Sequence, residues 1–165
     1  MRVSISHLTH PFPVERQRAD IDVTDVWWTS VCEDALTLKG SGTALIKGGG
    51  ARGADDKVIQ NNGASKVTID GFSVQDFGKL YRACGNCKGN GAKREVVIKN
   101  VKASGGKVLA GINSNFGDVA TITNTCASGV KKICTEFQGN SNGKEPKELR
   151  SGPSNACKYS SVPSC

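Results

Sequence analysis

The chain has little of what fills a thick core. Aromatic residues make up 5% of its 165 residues, Met occurs once, and hydrophobic residues reach only 37%. A core here must be thin and built from small and branched side chains. The two histidines and the single Cys-x-x-Cys, in ACGNCKG, do not make a zinc pattern. No run of 18 apolar residues occurs, which excludes a membrane-spanning helix. No helix-length amphipathic stretch lies between the short apolar segments, so strand–helix–strand units are excluded too. Nucleic acid is not the expected partner, because the basic residues alternate with carboxylates rather than aromatics and form no nucleic-acid motif. What the chain does have is 20 glycines, 7 cysteines and a net charge of +7, from 22 Lys and Arg against 15 Asp and Glu. The length suits one domain, and the charge suits a soluble basic surface or a polyanionic partner.

Internal repetition organises the chain. Five segments align: ADIDVTDVWWTSVCEDALTLKG, GTALIKGGGARGADDKVIQNNG, SKVTIDGFSVQDFGKLYRACGN, REVVIKNVKASGGKVLAGINSN and DVATITNTCASGVKKICTEFQG. Each opens with an alternating stretch and reaches a turn pair: Asp25-Val26, Gly48-Gly49, Gly71-Phe72, Asn100-Val101 or Asn124-Thr125. A Gly- or charge-rich corner and a second short strand follow. Turn pairs recur every 23 to 29 residues, the size of one coil of a parallel β-helix. A leucine-rich repeat would need leucines at fixed positions, and an antiparallel sandwich is the alternative. The repeats span 21–138. Residues 139–165 read as a loop and cysteine-containing tail, tied back through Cys157 or Cys165 and placed to shield the last coil edge.

All seven cysteines (Cys32, Cys84, Cys87, Cys126, Cys134, Cys157 and Cys165) are read as structural, in disulfides suited to an oxidising compartment. Redox-active or free thiols and a metal site are the alternatives for Cys84 and Cys87. An odd count leaves at least one cysteine without an internal partner. Residues 1–20 have no apolar signal core and match nothing downstream, so they read as an atypical N-terminal segment. Either the protein is intracellular or an original beginning is missing, and the odd cysteine favours the second.

Stacking coils also stacks their corners. Glu33-Asp34, Asp55-Asp56-Lys57, Asp76 with Lys79, Gly106-Lys107 and Lys131-Lys132 all precede a second strand. Coils lie about 4.8 Å apart, so carboxylates of neighbouring coils converge. Clustered hard oxygens suit Ca²⁺, while the alternative is a solvated corner of mixed charge. Strand alternation puts Lys79 and Tyr81 on one face and Arg82 on the other unless the chain bends. A Lys flanked by cations loses its proton more easily and can serve as a general base, whereas a surface ladder is the plainer reading. Of Trp27 and Trp28, one is expected in the core and the other outside, stacking on a sugar ring or covering a coil edge.

Four blocks, DVWW-x3-VCEDALTLKG, GGGARGADDKVIQNNG, DFGKLYRACGNC and AGINSNFGDVATI, resemble the successive signatures of the family-3 pectate lyases of fungi, oomycetes and bacteria. The resemblance runs from about Asp22 to about Gln138. It implies an all-β fold, a single-stranded right-handed parallel β-helix, and cleavage of de-esterified pectin by Ca²⁺-dependent β-elimination. It further implies Lys79 as base and Arg82 as a catalytic residue that grips substrate carboxylate. Arg94 would grip a substrate carboxylate, and Lys57 and Lys107 would line the cleft. Glu33, Asp34, Asp55, Asp56 and Asp76 are the implied Ca²⁺ set, and Asp118 is either a site or a turn residue. A secreted monomer acting on an acidic polysaccharide follows. Family members also carry a secretory leader and further coils ahead of the DVWW block, and the unrelated segment 1–20 in their place is read as a truncated gene model or a divergent copy. The competing reading is a β-helix that binds pectate without cleaving it.

Overall fold

The computed structural model describes residues 20–31 and 33–165. Fourteen strands occur in these residues. They are β1 (Ile21–Thr24), β2 (Trp27–Trp28), β3 (Asp34–Leu38), β4 (Ser41–Lys47), β5 (Gly50–Asn61), β6 (Ala64–Asp70), β7 (Ser73–Ala83), β8 (Glu95–Lys99), β9 (Lys102–Asn113), β10 (Val119–Thr123), β11 (Cys126–Ser128), β12 (Lys132–Gln138), β13 (Lys147–Ser151) and β14 (Cys157–Lys158). One sheet has the order β1-β4-β6-β8-β10-β14; the other is built on the long strands β5, β7 and β9. Each strand pairs in parallel with its counterpart one repeat away, except that β13 is antiparallel to β12. That is the expected parallel β-solenoid and not a sandwich, whose neighbouring strands would be antiparallel.

The alternating stretches explain the register. Val23, Ile46, Ile69, Ile98 and Ile122 stand one above another, and the four isoleucines are at most 3% exposed. The row of Ala44, Val67, Val96 and Ala120 lies beside them and is equally buried. Each buried Ile contributes roughly 1.5–3 kcal/mol, so stacking replaces the missing aromatic bulk. All five turn pairs begin with a left-handed residue: Asp25, Gly48, Gly71, Asn100 and Asn124 have φ of 52°, 63°, 68°, 56° and 44°. Gly meets that conformation without strain, and Asn or Asp tolerates it through local hydrogen bonds. Here Asn124 donates its side-chain amide to Asn100, and Asn100 donates to Asp70. A second left-handed series, Gly53, Asp76, Gly105 and Gly129, follows five residues later and bends the long strands.

The segment 139–165, expected as loop and tail, contributes two strands and closes the stack. Disulfides Cys126–Cys165 and Cys134–Cys157 tie it to the last coil, and Ala127 N–H donates to the Pro163 carbonyl. Cys84 and Cys87 form a third disulfide, at the turn that lengthens the third repeat. Cys32 and the segment 1–19 lie outside the described residues.

Candidate functional site: a lysine pair on a bulged strand

Asp34, Lys57, Lys79, Val108 and Lys132 form one register column along the second sheet. Ala54 pairs with Phe77 and Lys57 with Lys79, so Asp55 and Asp56 together face the single residue Gly78. This two-against-one bulge separates the adjacent carboxylates: Asp55 is exposed, and Asp56 turns back onto the lysines. Gly78 is required there, since a Cβ would lie 2.2 Å from the Asp56 carbonyl oxygen and 2.6 Å from that of Asp55.

Asp56 bridges the lysine pair. Its carboxylate accepts a hydrogen bond from Lys57 Nζ, and its Oδ1 lies 3.2 Å from Lys79 Nζ. Asp34 Oδ1 lies 3.3 Å from Lys57 Nζ on the other side. Burial alone would raise the Asp56 carboxyl, but hydrogen bonds and charge from Lys57 and Lys79 outweigh it and hold the group below 3.8. Burial likewise opposes the Lys57 ammonium, yet Asp56 and Asp34 hold it above 10.5. Lys57 is therefore pinned as a cation by two carboxylates, while Lys79 meets only Asp56 of them.

Arg82 is buried on the same strand. Its Nη1 donates to Asn113 Oδ1 at 3.0 Å, and its guanidinium lies 4.0 Å from the centre of the Phe137 ring. Desolvation lowers its pKa to about 10, against the raising effects of Asp118, Glu145 and Tyr81. The turn at Gly85 closes over it, with Pro146 against that turn and Asn140 N–H donating to the Gly85 carbonyl. Lys79 and Arg82 thus sit in different surroundings, as strand alternation suggests. Arg94, expected to grip a substrate carboxylate, is 4% exposed. Its guanidinium donates to the Gly63 carbonyl and to Asn90, while Asp118 accepts from the Arg94 and Asn113 backbone N–H groups. Both Arg94 and Asp118 therefore brace the turn between coils, and burial pushes the Asp118 carboxyl up despite those bonds. Lys107 is exposed but opposite Gly78, one residue out of the lysine column.

The five carboxylates expected to hold Ca²⁺ do not gather. Among the described residues no three Asp, Glu, His or Cys side chains lie close enough to share a metal. Asp76 is a left-handed corner residue whose carboxylate lies over Gly105, the bulge sends Asp55 outward, and Asp34 and Asp56 converge on the Lys57 ammonium. The donors are right in kind for Ca²⁺ and too few in number. Sequence reasoning missed Asn113 and Phe137, because partners for Arg82 one and two coils away leave no local signal.

Residues 17–144 match the family model described as pectate lyase. The chain is 66% identical over 140 residues to a probable pectate lyase E of Neosartorya fischeri, covering 83% of this chain and 54% of that protein. It is 62% identical over 140 residues to a probable pectate lyase D of Aspergillus fumigatus, covering 84% and 57%. The chain thus spans about half the length of the curated relatives it matches. The catalytic domain of pectate lyase PelI from Erwinia chrysanthemi superposes with a TM-score of 0.73 at 32% identity, over 86% of this chain and 70% of that one. The same enzyme in complex with tetragalacturonic acid gives 0.75 at 32% identity, over 87% and 51%. With the solenoid and the lysine pair in place, these matches show that the chain belongs to the pectate lyase family.

Proposed function

We propose that the chain cleaves de-esterified pectin, (1→4)-α-D-galacturonan, by β-elimination, with Lys79 as the base. The observation that carries this reading is the register pairing of Lys57 and Lys79 around Asp56. The reaction removes the C5 proton of a galacturonate, which is only weakly acidic, and puts negative charge on the adjacent carboxylate. A fixed cation beside that carboxylate stabilises the developing charge. Lys57, held protonated by two carboxylates, supplies such a cation. Lys79, which contacts Asp56 but not Asp34, is the lysine placed as the base, and its neutral amine takes the C5 proton. The C4–O4 bond then breaks, and O4 leaves with the cut chain and takes up a proton to become a hydroxyl. Lys79 returns the C5 proton to solvent, no water is consumed overall, and the new non-reducing end carries a 4,5 double bond.

Arg82, fixed by Asn113 and Phe137, is the second catalytic candidate, a cation to grip substrate carboxylate. Lys107, exposed beside the column, extends the basic surface toward a polyanionic chain. Bound Ca²⁺ would supply electrophilic stabilisation of a substrate carboxylate. Asp34 and Asp56 are committed to Lys57, so the carboxylates among the described residues form no set that would hold it, and the steps above do not run through it. The three disulfides suit an oxidising compartment, in keeping with a secreted monomer acting on an acidic wall polysaccharide. Incubation with polygalacturonate and Ca²⁺ at alkaline pH tests the proposal through the ultraviolet absorbance of the unsaturated product. Binding to polygalacturonate without any rise in absorbance supports a non-catalytic binding protein instead.

A further inference from the structure

The outer face that precedes the second corner carries a groove which the proposed reaction does not use. Trp28, Ala51, Val74 and Ala103 stand in register there and are buried in the core. The adjoining outer row is Trp27, Gly50, Ser73 and Lys102, and the next is Arg52, Gln75 and Ser104. Gly50 and Ser73 leave the space between these rows open, and a groove of about 430 Å³ runs from Trp27 to Cys165. Trp27 is 64% exposed, and its ring edge rests on Gly50, where a Cβ would lie 2.6 Å from it. Arg52 and Lys102 are exposed, and neither pairs with a carboxylate among the described residues. Lys57 and Lys79 lie beyond the left-handed corner at Gly53 and Asp76, around an edge of the solenoid.

We infer that this groove is a second binding seat for an acidic oligosaccharide, separate from the lysine pair. An indole offers a flat apolar surface to the C–H face of a pyranose. Arg52 and Lys102 meet uronate carboxylates, and Ser73, Gln75 and Ser104 meet hydroxyls. The groove crosses four rungs, about 14 Å at 4.8 Å per rung, which suits a short run of sugar units. Nucleic acid, the other stacking polyanion, needs a row of aromatics for successive bases, and this groove has one such platform. The inference rests on the polygalacturonate reading above for its choice of sugar. A seat of this kind would hold the polymer while its neighbouring stretch is cut.

The test is a titration of the full ¹⁵N-labelled chain with tetragalacturonate in EDTA, where cleavage is halted, following both indole N–H signals. The signal of Trp27, the exposed ring, is expected to move, and that of Trp28, which lines the groove floor, to move less. Arg52→Gln with Lys102→Gln should weaken this binding about tenfold, and leave the lyase rate on the shortest cleavable oligomers unchanged. A Trp27 signal that stays fixed at saturating ligand overturns the inference. So does an equal response to neutral maltotetraose or to single-stranded DNA. A shift at Trp27 in a chain without lyase activity would sink the catalytic reading and keep the groove. Lyase activity with a fixed Trp27 signal would do the reverse.

Discussion

Lys57 and Lys79 differ by one carboxylate, and in the proposed reaction that difference divides their work. Lys57 contacts Asp34 and Asp56, whereas Lys79 contacts Asp56 alone. Asp56→Asn should therefore disturb both: the lysines lose their shared anion and repel each other, and the alkaline limb of the pH–rate profile should move to lower pH. Stability carries its own sign. Because the Asp56 carboxyl is held below 3.8, its contribution is present above that pH and lost as pH falls through the folded value. Lys57, held above 10.5, contributes below that pH and loses its contribution as pH rises through the folded value. Asp56 is 45% exposed, so solvent screening keeps its share to about 1 kcal/mol or less. The gap in melting temperature between wild type and Asp56→Asn should be visible at neutral pH and close on acidification below 3.8. A gap that persists there would mean that packing, not charge, sets it. At this scale the sequence yielded the lysines and their acids, but not the pairing. A strand of alternating charge looks the same whether its acids bind a metal, water or each other's counter-ions.

Strands show the same division between what is legible and what is not. The turn pairs predicted from Asp25, Gly48, Gly71, Asn100 and Asn124 coincide with the first left-handed series, because each position holds a residue type that tolerates positive φ. The second series was hidden, since Gly53, Gly105 and Gly129 read as part of a glycine-rich corner and Asp76 as a metal ligand. The bulge was hidden for another reason: it is a relation between two strands 23 residues apart, and no window on one strand contains it. Its control point is Gly78, where a side chain would strike backbone rather than a flexible side-chain end. Gly78→Ala should cost about 2–3 kcal/mol and reduce activity beyond what the lost stability explains, as the Asp56 bridge is displaced. Thermal unfolding together with activity measured well below the melting temperature separates these effects. Full activity in a folded Gly78→Ala protein would show that the bulge geometry is irrelevant to the site.

Over the whole molecule, stability depends on closing the open end of the stack. The described disulfides Cys126–Cys165 and Cys134–Cys157 both join the last coil to the tail. Cys134 and Cys157 are fully buried, and they link the two sheets at the point where β14 covers β10. Replacing both by Ala should cost about 2–4 kcal/mol. Hydrogen exchange should rise first in the tail and in β10 and β12. Uniform loss of protection across the stack would instead make the solenoid one cooperative unit. The solenoid itself was readable from the repeats, because the period and the isoleucine positions state the register directly. The tail was not, since β13 and β14 pair through backbone with little apolar pattern of their own, and only the cysteines hinted at their place. The most direct test of the central claim is the rate of unsaturated product formation from polygalacturonate by wild type and Lys79→Ala, with Ca²⁺ and with EDTA. Wild type with Ca²⁺ should be active, EDTA should stop it, and Lys79→Ala should lose about 10²–10⁴-fold while still binding polymer. A Lys79→Ala rate close to wild type would contradict the assignment of Lys79 as the base.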